Sequence, residues 1–179
     1  MKRQVIFIYF ILPLLIVIVS NLRGFAVSYA RMRDIQRNLD VGFLVNGLQR
    51  YASDYGQYPE AADDGRIIAC RGETTGFAKT ADNQMIFEPG ATKPKIKNLV
   101  ACDWGTSYLG DPLDSNAPRY VSVLPKDPLT NKGVVYKYVS DGTSFSLYAH
   151  FEINHDIGYD KSIKVKCGTK RCNLVREVK

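Results

Sequence analysis

Hydrophobic residues follow different rules in successive parts of this chain. Residues 5–19, VIFIYFILPLLIVIV, form an apolar run whose one polar side-chain group is the Tyr9 hydroxyl. Further on, Ile35, Leu39, Gly42 and Phe43, then Leu44, Leu48, Tyr51, Ala52 and Tyr55, recur at threes and fours. That spacing predicts an apolar helical stripe. Arg33, Asp34, Arg37, Asp40, Asn46, Arg50 and Asp54 fall on the other face. Nothing between the two stretches breaks a helix except Gly24, which costs about 1 kcal/mol relative to Ala. One helix of about fifty residues is therefore expected, buried in lipid at first and amphipathic afterwards. Gly56 can take the left-handed conformation that ends it, and Pro59 forbids its continuation.

Residues 60–118 are rich in Gly, Pro, Asp, Asn and Thr, with short apolar pieces at 66–69, 85–87 and 98–101. They read as a long irregular loop with room for a short helix or hairpin. The end of the chain alternates instead. Val134 to Val139 is β-branched and aromatic, Asp141-Gly142 is a hairpin turn, and Ser144 to Phe151 puts Phe145, Leu147 and Ala149 on one face. Ser162 to Cys167 alternates Ile163, Val165 and Cys167 against lysines, and Asn173 to Val178 can pair back on it. The order of long helix, loop and antiparallel strands is that of an α+β chain, with the helix stripe laid on the sheet. Its expected parts are an anchor at 1–27, an amphipathic helix at 28–55, the loop region at 56–118 and the sheet with a C-terminal hairpin at 119–179.

The apolar run changes the picture from soluble to membrane-bound. Residues 5–22 would span about 27 Å as a helix, near the hydrocarbon thickness of a bilayer. Lys2 and Arg3 favour a cytoplasmic N-terminus, with everything after Asn21 outside. An uncleaved anchor is expected. Its rival is a signal cleaved near Ser28-Tyr29-Ala30, which lies well past the apolar run with Arg23 between.

Cysteine usage agrees with an oxidising compartment. The chain has Cys70, Cys102, Cys167 and Cys172, an even number behind a targeting segment. Cys167-Gly-Thr-Lys-Arg-Cys172 reads as two strands closed by a tight turn, so Cys167–Cys172 is the natural pair, leaving Cys70–Cys102. The spacings match no zinc-ligand pattern.

The net charge of +6 is carried by residues 161–179, where Lys161, Lys164, Lys166, Lys170, Arg171, Arg176 and Lys179 meet only Glu177. A solvated strand face is the plain reading. Contact with phosphate-rich or acidic surfaces, nucleic acid included, is the sharper one, though no aromatic residues interleave the lysines. The residues point away from catalysis. The only histidines, His150 and His155, stand beside no nucleophile motif, and no P-loop or Rossmann pattern occurs.

A family resemblance rests on particular residues. Tyr51-x-x-Asp54-x-Gly56-x-Tyr58-Pro59 ends the helix, Leu124-Pro125-Lys126-Asp127-Pro128 follows, and then come Val135-Tyr136-x-Tyr138 and a Phe-Ser-Leu-Tyr strand. Together they resemble the type IV pilin superfamily, nearest to the major pseudopilin of type II secretion systems. The resemblance covers residues 28–59 and 120–151. It implies a pilin-like fold and a structural, non-enzymatic role as a filament subunit. Partners would be the membrane and like subunits, met through the N-terminal helix. It also implies a calcium site in the loop after the last family strand, where Asp156 and Asp160 fall, with Asp141 in an earlier turn; no other cofactor is expected. The family opens its apolar run with a glutamate, whereas residues 1–33 here contain no acid. The alternative is therefore a non-polymerising, single-pass, extracytoplasmic binding or adhesion protein with a pilin-like head.

Overall fold

The structure is a computed structural model, and it describes residues 7–154 and 157–179. A π-helical segment, Phe7–Ile11, leads directly into helix α1, Leu12–Tyr55. Pro13 lies in the first turn of α1, where its missing N–H is tolerated. The helix runs unbroken through Gly24, whose carbonyl accepts a hydrogen bond from the Ser28 hydroxyl (2.9 Å). It is long and apolar enough to cross a membrane, and no part of its most apolar window is covered by the rest of the molecule. Its C-terminus is as expected: Gly56 adopts φ 76° and donates its N–H to the Ala52 carbonyl at 2.8 Å.

Among the described residues, ten short strands follow. β1 (Glu60–Ala61), β2 (Ile67–Cys70) and β5 (Val100–Ala101) form an antiparallel sheet in the order β1-β2-β5, and β3 (Gly76–Phe77) pairs with β4 (Ile96–Lys97). The region expected as an irregular loop is thus a small folded layer. Its backbone pairings join residues far apart in sequence, which local propensity does not reveal. The disulfide Cys70–Cys102 ties the end of β2 to the residue after its neighbour β5.

β6 (Lys137–Ser140), β7 (Phe145–Ala149) and β10 (Leu174–Val178) make the second antiparallel sheet, in the order β10-β7-β6. The β6–β7 hairpin turns at Asp141–Ser144, and β7 buries Phe145, Leu147 and Ala149 as its alternation predicts. β8 (Lys166–Cys167) and β9 (Lys170–Arg171) form a separate ribbon closed by Cys167–Cys172. The last strand differs from expectation. It pairs not with Ser162–Cys167 but with β7, Leu174 opposite Ala149 and Val178 opposite Phe145. Asn173 fixes that register, since its side chain bonds both the N–H and the carbonyl of Phe151. A backbone bond from Tyr138 to Gly65 (2.8 Å) stitches the two sheets.

α1 lies on β7 and β10 and supplies Val41, Leu44, Leu48, Tyr51 and Tyr55 to a core shared with Ile67, Leu109, Leu124, Tyr138 and Leu147. The helix does not carry the single stripe expected for it. Ile35, Leu39 and Phe43 are exposed, while Asp34, Arg37 and Asp40 are buried. Leu39 and Leu44 are five residues apart, so they point to opposite sides at 100° per residue. The residues form two stripes, and the head covers only the upper one.

Candidate functional site

The face of α1 that meets the lower head is ionic because the head offers it carboxylates. Arg37 is fully buried and donates to both oxygens of Asp127, Nε at 2.7 Å and Nη2 at 3.0 Å. Its Nη1 also donates to Asp34 (2.7 Å) and Glu152 (2.9 Å). Arg33 grips Glu152 with two bonds of 2.7 Å. Asp34 accepts the N–H groups of Glu152 and Ile153, so one helix carboxylate also fixes the backbone leaving β7. Asp40 accepts from the Tyr136 hydroxyl (2.7 Å) and from Gln36 (2.6 Å). Burial opposes the Arg37 charge, but hydrogen bonds to Asp127 and Glu152 outweigh it and raise its pKa above the ordinary arginine value. The Arg33 hydrogen bond, opposed by burial and aided by Arg37, holds the Glu152 carboxyl down at about 2. Burial, then the bond to Asp40, pushes the Tyr136 hydroxyl well above its usual range.

The helix-ending motif gathers at the other end of the head. Tyr51 packs on Tyr55 (4.5 Å between rings) and Tyr120 (5.9 Å). The Asp54 carboxylate accepts from the Tyr120 hydroxyl and faces Lys93 at 3.4 Å, while its carbonyl accepts the N–H groups of Thr92 and Lys93. Tyr58 donates its N–H to Gly142 (2.8 Å) and sets its ring against Phe145, and the Pro59 carbonyl accepts the Tyr138 hydroxyl (2.8 Å). In the second motif Leu124 is buried, Pro125 is half-buried, Pro128 is exposed and Asp127 reaches Arg37. The motifs join helix to head at two levels: Asp54 to Pro59 hold the top, Asp127 the bottom.

Two of the acids expected around calcium, Asp141 and Asp160, do not come together. Asp141 lies in the β6–β7 turn, where its carboxylate accepts the N–H groups of Thr143 (2.9 Å) and Ser144 (2.7 Å). Asp160 donates its own N–H to Asn173, beside the opposite end of β7, and its carboxylate accepts from Ser162. The length of β7 separates them, so they share no cation. Asp156 and His155 lie outside the described residues. Among the described residues no group of three His, Cys, Asp or Glu side chains could hold a metal ion. His150 places Nδ1 2.7 Å from the Arg171 carbonyl, so that nitrogen carries the proton.

What remains is a surface. Phe25, Met32, Ile35, Leu39 and Phe43 are all exposed, each more than half by area. At 100° per residue they lie within a narrow band on the side of α1 away from the head. The band continues the apolar N-terminal half of the same helix and ends at Asn46 and Arg50. The sequence pattern picked out Ile35, Leu39 and Phe43 but placed them against the sheet, and it did not include Phe25 or Met32. A signal was present: Asp34, Arg37 and Asp40, at i, i+3 and i+6, share the side of Leu44 and Leu48.

A cavity of about 240 Å³ opens between the helix C-terminus and β4, lined by Tyr58, Gln57, Glu60, Lys95, Lys97 and Asn98 among others. Compared with family models, curated proteins and solved structures, the chain matches none.

Proposed function

We propose that this chain is a structural subunit of a type IV pilus-like or type II secretion pseudopilus-like filament, held in the cytoplasmic membrane by α1 with its head outside. The observation that carries the reading is the exposed stripe Met32, Ile35, Leu39 and Phe43, running on from a membrane-length helix. An isolated head leaves that stripe in water, whereas neighbouring copies of α1 packed side by side would cover it. The motif residues Tyr51, Asp54, Gly56, Tyr58 and Pro59 support the same reading, since they lock the head onto the helix as one rod-like unit. The two disulfides suit a head outside the cytoplasm.

The test is electron microscopy of surface filaments from cells producing the tagged chain, beside a Leu39→Glu/Phe43→Glu variant. Filaments carrying the tag, lost in the variant at unchanged head stability, are expected. Filaments that never contain the chain, or a variant that assembles like the parent, would overturn the reading.

The second reading, a non-polymerising anchored binding protein, is favoured by the folded layer at 60–118 and the cavity beside it. It predicts that Tyr58→Ala and Lys97→Glu impair surface binding while the stripe variant does not.

A further inference from the structure

The head has a lower and an upper end, defined by what touches α1. At the lower end Asp127, Glu152 and Ile153 bond Arg37, Arg33 and Asp34; at the upper end Phe145 packs on Tyr58, beyond the helix terminus. Ala30, the first buried residue of the helix among those described, follows the apolar residues Phe25, Ala26 and Val27. Residues 5–22 fill the hydrocarbon, so Ala30 stands about 12 Å beyond it along the axis, just past the headgroup layer. With α1 in a bilayer, the lower end therefore faces the headgroups across a short gap that side chains and loops can bridge.

Two features crowd that end. Ile157, four positions after Ile153, is 93 % accessible and the most exposed large apolar residue described. The β8–β9 ribbon is tied to the same end, with Thr169 donating its N–H to Gly133 (2.9 Å) and its hydroxyl to the Lys132 carbonyl (2.9 Å), and the Arg171 carbonyl held by His150. Cys167–Cys172 makes the ribbon stiff. Lys164, Lys166, Thr169, Lys170 and Arg171 surround a shallow concavity of about 370 Å³. Arg171 is turned inward onto the carbonyls of Ser162 and Ile163, with Asp160 nearby. Lys164, Lys166 and Lys170 are exposed, and none forms an ion pair among the described residues.

We propose that this rim is a lipid-docking surface, on which Lys164, Lys166 and Lys170 meet the phosphates of anionic phospholipids and Ile157 enters the headgroup layer. Basic side chains held near an anionic leaflet are attracted to it, and an aliphatic tip adds apolar burial. A nucleic acid would use the lysines but has no use for Ile157, and the aromatic platforms that stack on bases are missing from the ribbon. The anchor holds the rim at the membrane, so even weak headgroup contacts form at high effective concentration. Docking seats the head against the bilayer before any assembly. It rests on the membrane anchorage of α1 and not on filament formation.

The test is lysine acylation footprinting of the full-length chain in nanodiscs of phosphatidylcholine alone or with phosphatidylglycerol. Lys164, Lys166 and Lys170 are expected to acylate several-fold more slowly in the anionic discs. High salt should abolish the difference, because surface electrostatics are screened. Ile157→Asp should shrink it, and Lys97, at the upper end, should acylate equally in both. Equal acylation of the rim lysines in both discs, with the chain inserted, overturns the proposal and leaves anchorage standing. Protection that needs added duplex DNA in place of anionic lipid also overturns it. A chain that fails to insert overturns the anchorage and the docking together.

Discussion

Arg37 and Asp127, ninety residues apart, form a fully buried two-point ion pair between the middle of α1 and the loop before β6. The pair decides which side of the helix faces the head. Packing Ile35 and Leu39 inward would leave Asp127 buried without a counter-charge, a cost of several kcal/mol. Removing one partner exposes that cost. Asp127→Ala is expected to lower unfolding stability by about 3–5 kcal/mol. An Arg37→Met/Asp127→Leu double variant should lose less than the sum of its singles, because neither member of the pair is left buried alone, although Asp34 still loses its Arg37 partner. Denaturant melts in detergent of the parent, Arg37→Met, Asp127→Leu and the double variant measure the coupling.

The pH dependence follows from Glu152. Its folded pKa, about 2, lies below the ordinary carboxylate value. The stabilisation is therefore complete above pH of about 5 and is lost as pH falls toward 2. Glu152→Gln should flatten the acid limb of a plot of midpoint against pH by about 1–2 kcal/mol, allowing for partial screening by solvent. Part of the limb stays, since N–H and hydroxyl donors of Ser144 and Thr143 also hold Asp141 at about 2.

Gly56 tests the helix terminus. Its φ of 76° is costly for any side chain, and a Cβ there would lie 2.9 Å from the Glu88 Cβ and 3.0 Å from the Pro89 carbonyl. Gly56→Ala should cost about 1–2 kcal/mol, read as a lower thermal midpoint. Gly42, exposed with open space around it, should accept alanine with a slight gain in helix stability.

The two disulfides should differ in weight. Cys70–Cys102 spans a sequence separation of 32 and Cys167–Cys172 one of 5. Loop-closure entropy makes the first worth about 3–4 kcal/mol and the second about 2. Serine pairs at each bridge, compared by denaturant midpoint, should rank in that order.

The stripe offers the opposite kind of variant. Leu39 and Phe43 touch solvent, so Leu39→Gln should leave the unfolding midpoint within about 0.5 kcal/mol of the parent. A large loss would mean that the stripe is packed within the single chain.

The sequence by itself determined whatever depends on neighbours along the chain. The apolar run and the spacing of threes and fours require a long helix, because each residue there bonds the turn beside it. Gly56 and Pro59 end it for local steric reasons, Asp141-Gly142 turns the β6–β7 hairpin, and the short spacing of Cys167 and Cys172 selects their bridge. Only the tertiary structure decided which side of the helix is inside. Periodicity reports that Ile35, Leu39 and Phe43 share a face, but not whether that face meets a sheet or a solvent boundary. The answer lay in Asp127 and Glu152, whose distant carboxylates come to Arg37 only when the chain has folded. The pairing of β10 with β7 and the separation of Asp141 from Asp160 were hidden for the same reason. Contacts between residues far apart in sequence are selected by burial and charge compensation across the whole head, and no local pattern encodes them.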